Sequence, residues 1–163
     1  MNVIVIGIGA LGCLFAGRLV PHADVTMLGH WPEQVQALRA SGLTMIDPAG
    51  ETSTIPVRVA SEPAGLPAAD LVLVLVKSYQ TARAAAEVAA VLGEEGVVLT
   101  LQNGIGNRET LAAAVGTGRA FAGTTSEGAN IVRPGVVRHA GYGQTYLGGA
   151  AMRPVAALFQ TAG

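Results

Sequence analysis

Lysine and cysteine each occur once among the 163 residues, and each scarcity closes off a class of chemistry. The single Cys13 excludes an intramolecular disulfide and any multi-cysteine zinc site, and it fits a reducing compartment, so a cytoplasmic location is expected. Three scattered histidines beside it form no metal-ligand pattern. Charge is scarce in both signs: 10 basic against 11 acidic residues leave a net charge of -1 and no basic stripe to follow a nucleic-acid backbone. Long apolar runs are missing as well, none reaching the roughly 18 residues that a membrane helix needs. The start MNVIVIGIGALG has no basic segment ahead of its early glycines. The chain is therefore expected to be soluble and unprocessed, with neither nucleic acid nor membrane as partner. A G-x-S-x-G elbow of the hydrolase kind is also absent. Charged residues, at 13%, fall well below the roughly 25% of an ordinary soluble domain. Alanine and glycine account for much of that deficit, and the rest implies apolar surface that something else covers.

What is present alternates. NVIVI (2–6) is a continuous β-branched run, the signature of a strand buried on both faces of a parallel sheet. ALGCLFAGRLV then changes period, placing Leu11, Leu14, Phe15 and Leu19 on one helical face before Pro21 stops the helix. DVTML (24–28) reads as a second strand, and PEQVQALRA (32–40) as a helix with proline in its first turn and Gly42 past its end. LTMIDPAGETSTIPVRVA holds two short strands around the turn DPAG, and DLVLVLV (70–76) is the strongest buried-strand signal in the chain. An alanine-rich helix over about 81–92, a strand GVVLTL, a helix NRETLAAAV capped by Asn107 and a strand RAFAGTT complete the series. The alternation predicts one Rossmann-type domain over 1–163, with a doubly wound, mainly parallel sheet. Past Ser126 the turns near Pro134 and Gly141 predict antiparallel strands, and AMRPVAALFQTAG opens a last helix.

The pattern G-x-G-x-x-G is weak by itself in a chain with 22 glycines, but Gly7, Gly9 and Gly12 lie directly between the first strand and the first helix. There Gly7 permits the tight turn, Gly9 lets backbone approach a pyrophosphate, and Gly12 lets helix and strand pack closely, so the loop is read as a phosphate cradle. A carboxylate at the end of the second strand would mark an NAD site. That place reads Leu28, Gly29, His30, Trp31, which offers His30 as a donor and no carboxylate to repel a 2′-phosphate, favouring NADP(H). Lys77, the only lysine, ends the most hydrophobic strand, where open α/β sheets bind ligands. Gln102, Asn103 and Gly104 end the next, placing an amide that donates and accepts on the same side. His22 and His139 are read as structural or solvated.

Four stretches, IGIGALG, DLVLVLVKSYQT, LQNGIGN and GTTSEGANIVRPGVVRHAGYGQTYLG, together resemble the amino-terminal domain of the ketopantoate reductase (2-dehydropantoate 2-reductase) family, across essentially the whole chain. The resemblance implies that Gly7, Ile8, Gly9, Ala10, Leu11 and Gly12 hold NADPH, that Lys77 and Gln80 lie near cofactor and substrate, that Asn103 contacts nicotinamide and substrate, and that Ala129 lines the cofactor. It implies reduction of the 2-keto acid ketopantoate to pantoate, in pantothenate biosynthesis. Two departures stand out. His30 occupies the place where the family commonly has arginine for the 2′-phosphate, and the family's helical catalytic domain, with its general-acid lysine, has no counterpart in these residues. The chain alone is accordingly expected to bind cofactor without turnover, and to pair with a second copy or a separately encoded helical domain. A stand-alone nucleotide-binding module, part of a split enzyme, and a related 2-keto or β-hydroxy acid dehydrogenase remain alternatives.

Overall fold

In the computed structural model, which describes residues 1–163, the first half of the chain builds two strand–helix pairs and then four strands in succession. It runs β1 (Asn2–Ile6), α1 (Ala10–Leu19), β2 (Asp24–Leu28), α2 (Pro32–Ser41), β3 (Leu43–Ile46), β4 (Thr52–Ile55), β5 (Arg58–Ala60) and β6 (Ala69–Val74). The second half adds α3 (Thr81–Val91), β7 (Leu92–Thr100), α4 (Asn107–Val115), β8 (Ala120–Thr125), β9 (Gly128–Arg133), β10 (Val136–Gly141), β11 (Thr145–Leu147) and α5 (Arg153–Ala162). No helix is long and apolar enough to cross a membrane.

Seven strands form the main sheet in the order β11-β8-β7-β6-β1-β2-β5, all neighbours parallel except the antiparallel β11 and β8. The unbroken apolar run of β1 follows from coverage on both faces. Val3 and Val5 join a core with Cys13, Phe15, Leu38 and Val155, while Ile4 and Ile6 face Ala84, Val88 and Leu111 of α3 and α4. The order reverses between β1 and β6, because β2 follows β1 on one side and β6 returns to the other. Such a switch point leaves a crevice at the carboxyl ends of the two strands.

The structure departs from the sequence expectation in three places. Arg58–Ala60 is a third short strand in its region, pairing parallel with β2 at the sheet edge instead of continuing the hairpin with β3 and β4. The antiparallel hairpin of β9 and β10 joins β3 and β4 in a separate four-stranded sheet, order β4-β3-β10-β9, which packs over α1. Asn107 does not cap α4 from outside: Gly106, at φ +89°, makes the turn, and Asn107 is the buried first residue of the helix.

Candidate functional site

At the switch point lies a cleft of about 680 Å³. Its floor is the glycine loop. Gly7 has φ +114°, a conformation side chains avoid, and its amide donates to the Leu28 carbonyl at 2.9 Å. A β-carbon on it would stand 2.8 Å from the main chain of Leu75, so the turn lies flush against the end of β6. Gly12 sits beneath the loop, where a β-carbon would approach the Gly7 carbonyl oxygen to 1.7 Å. Gly9 faces open space, with nothing within 4 Å of where its β-carbon would be. It precedes α1 without any side-chain cap, so the first-turn amides of the helix remain available to an anion.

The loop is also held from behind, by a residue that sequence reading missed. Gln34 of α2 is wholly buried. Its Nε2 donates to the Ile8 carbonyl at 3.1 Å and to Cys13 Sγ, and its Oε1 accepts from the Gly135 amide at 2.9 Å, tying the loop to the turn between β9 and β10. A lone glutamine on a helix carries no periodic signal that it points inward. Burial pushes the Cys13 thiol up to about 12, against the smaller opposing effect of the Gln34 hydrogen bond, so Cys13 is a packing residue.

The walls come from the ends of the neighbouring strands. Lys77 and Gln80 follow β6, Asn103 follows β7, Ala129 opens β9, and His30 follows β2; all line the cleft together with Gly7, Ile8, Gly9, Ala10 and Leu11. Of the predicted site residues only Gly12 lies outside the lining, where it supports the loop. Gln102 also lines the cleft, but its amide is already engaged. Its Nε2 donates to the Val76 carbonyl (2.8 Å) and to Thr81 Oγ1 (3.0 Å), and its Oε1 accepts from Thr100. Thr81 in turn donates to Asn107 Oδ1, and Asn107 Nδ2 to the Asn103 carbonyl at 3.0 Å. This chain of amides and hydroxyls fixes the Asn103 main chain and leaves its side chain exposed at the cleft.

Two charged clusters touch the cleft. Glu127 accepts from Arg18 Nη1 at 2.9 Å and bonds His139 Nε2 at 2.7 Å, joining α1, the strand β10 and the segment before β9. Burial works to raise its carboxyl, but the hydrogen bonds and charges of Arg18 and His139 prevail and hold it below its ordinary value. At the other end His30 Nε2 lies 2.6 Å from Glu87 Oε1, with Arg83 Nε 3.5 Å from the same oxygen. Leu28 to Trp31 carry no carboxylate, as the sequence reads, but Glu87 reaches the end of β2 from α3, an element remote from it in sequence.

A glycine turn at the switch point of such a sheet is the architecture of a Rossmann-type α/β domain. The family model described as ketopantoate reductase PanE/ApbA matches residues 3–151, and the chain belongs to that family. A 2-dehydropantoate 2-reductase of Halobacterium salinarum is 43% identical over 173 residues, covering 100% of this chain and 56% of the relative. Among solved structures, a PanE/ApbA family ketopantoate reductase from Ralstonia eutropha JMP134 superposes with TM-score 0.91 at 33% identity, over 100% of this chain and 54% of that one. The 2-dehydropantoate 2-reductase of Geobacter metallireducens GS-15 does so with TM-score 0.91 at 30% identity, over 99% and 56%. The chain spans about half the length of these relatives.

Proposed function

We propose that these residues form the NADP(H)-binding domain of a 2-dehydropantoate 2-reductase, the half that holds the cofactor while ketopantoate is reduced to pantoate. The observation that carries this reading is the glycine loop: Gly7 and Gly12 admit no side chain for reasons internal to the fold, whereas Gly9 leaves open space inside the cleft, at the amino end of α1, with room for a bound group. A dinucleotide fits that cradle, with its pyrophosphate at the amino end of α1, and the cleft volume lies within the usual range for ligand sites. When bound, the nicotinamide supplies the hydride. Lys77 places positive charge beside the reacting end, suited to the carboxylate of a 2-keto acid. The Asn103 amide, held by its backbone and free at its side chain, orients a carboxamide or keto oxygen by donating to it. Gln80 and Ala129 close the wall around them.

A proton must also reach the new alkoxide, and we assign its donor to residues outside this set, in a helical domain that covers the Lys77 end of the cleft. Tyr79 and Ile105 stand on that rim, 83% and 105% exposed, as a surface for such a domain or for a second copy of the chain. A cytoplasmic setting accords with this role. Titration of the protein with NADPH, read by nicotinamide fluorescence, tests the reading: saturable binding is expected, with no ketopantoate turnover by the chain alone. Failure to bind any dinucleotide would overturn it.

A further inference from the structure

The residues that directly follow β2 include no arginine to receive a phosphate, yet this end of the cleft is crowded with charge. Glu87 is nearly buried, its side chain 9% exposed, and both His30 (33%) and Arg83 (50%) lie outside it on the same oxygen. All three line the cleft. The layering matters, because an anion entering from solvent meets the two nitrogen-bearing side chains before it meets the carboxylate. The carboxylate fixes their orientation. Arg83 spends only Nε on Glu87, leaving the terminal guanidinium nitrogens, which form the forked face that suits a phosphate. His30 donates from Nε2 to Glu87, and no other hydrogen bond engages its ring.

The geometry points to Arg83 and His30, both seated on Glu87, as the receptor for the 2′-phosphate of the nucleotide, so that the choice between phosphorylated and unphosphorylated cofactor is shared between α3 and the residue that follows β2. This rests on the dinucleotide reading above and adds to it the residues that discriminate. Arg83 and Glu87 are four residues apart on α3, which places them on one helical face and lets a single turn of helix carry both the cation and its support. The competing arrangement has Glu87 itself accepting the ribose 2′-hydroxyl, as a carboxylate does in an NAD site.

The test compares four probes, NADPH, NADH, 2′,5′-ADP and 5′-ADP, by calorimetry on the wild type and on Arg83→Gln, Arg83→Lys and Glu87→Gln. Arg83 is half exposed, so its replacement leaves the fold intact, and the melting temperature confirms it. Arg83→Gln is expected to weaken NADPH and 2′,5′-ADP by about tenfold or more, the scale of a lost charge-assisted phosphate contact, and to leave NADH and 5′-ADP within about twofold. Arg83→Lys recovers part of the loss, since charge returns without the fork. An unchanged NADPH-to-NADH ratio in Arg83→Gln overturns the assignment while leaving dinucleotide binding intact. A selective loss of NADH binding in Glu87→Gln overturns it in favour of the ribose-acceptor arrangement. A wild type that binds none of the four probes overturns the functional reading itself, and this assignment with it.

Discussion

Gly12 lies so close under Gly7 that a β-carbon on Gly12 would stand 1.7 Å from the Gly7 carbonyl oxygen. No rotamer change relieves a clash with main chain. Gly12→Ala is therefore expected to destabilise the protein by at least about 1–3 kcal/mol, the range of overpacked cores. Thermal denaturation reads it directly, and an unchanged melting temperature would mean that α1 shifts without cost.

Gly9→Val separates folding from binding at the same loop. Gly9 has φ -77°, which any residue adopts, and nothing stands near its β-carbon. The variant is expected to melt like the wild type and to lose more than tenfold in NADPH affinity, a change of at least about 1.4 kcal/mol. Normal binding by Gly9→Val would remove the pyrophosphate from this loop.

Thr81→Val deletes the hydroxyl that accepts from Gln102 and donates to Asn107. Thr81 is buried, so the two amides lose a partner where water does not replace it, at a cost of about 1–3 kcal/mol. Because Asn107 holds the Asn103 carbonyl, the loss is expected to weaken NADPH binding as well as stability. Chemical denaturation and nucleotide titration of the same variant show whether the two fall together.

These networks mark the limit of what sequence alone carried. β1 and β2 were legible residue for residue, since apolar runs bounded by glycine, proline or charge admit one strand register. Gly7, Gly9 and Gly12 were legible through their place between strand and helix, and Lys77 and Asn103 through theirs at strand ends. Glu87 and Arg83 were not, because they reach the end of β2 across the cleft from α3, and nothing in the local pattern shows so distant a neighbour. The small sheet was not, because β3 pairs with β10 across most of the chain length, and no local pattern announces a partner so remote. Asn107 misled for a related reason: its side chain was drawn away from capping by Thr81 and Asn103.

Glu127 gives the protein a sensitivity to acid. Its carboxyl is held below its ordinary value of 4.5 in the folded protein, so the folded state binds its proton less readily than the unfolded chain. The stabilisation is present above that value and is lost as pH falls through the lower, folded one. Melting temperatures measured from about pH 7 to about pH 3 should therefore drop at the acid end. Glu127→Gln is expected to flatten that drop while lowering stability near neutrality, and a slope identical to the wild type would assign the acid sensitivity elsewhere.

Cys13 offers a probe of the core behind the glycine loop. With its thiol pushed up to about 12, roughly one part in ten thousand is thiolate near pH 8. Iodoacetamide is expected to leave the native protein unmodified and to label Cys13 promptly in denaturant, with mass spectrometry as the readout. Rapid labelling of native protein would show that α1 opens.

The main sheet ends on β5 and β11, strands of three residues each. The unpaired backbone at either margin of that sheet is therefore a short template for recruiting further strands. The small sheet ends differently, on β4 and on the six-residue β9, so any association by strand addition belongs to that sheet and spares the one that carries the cleft.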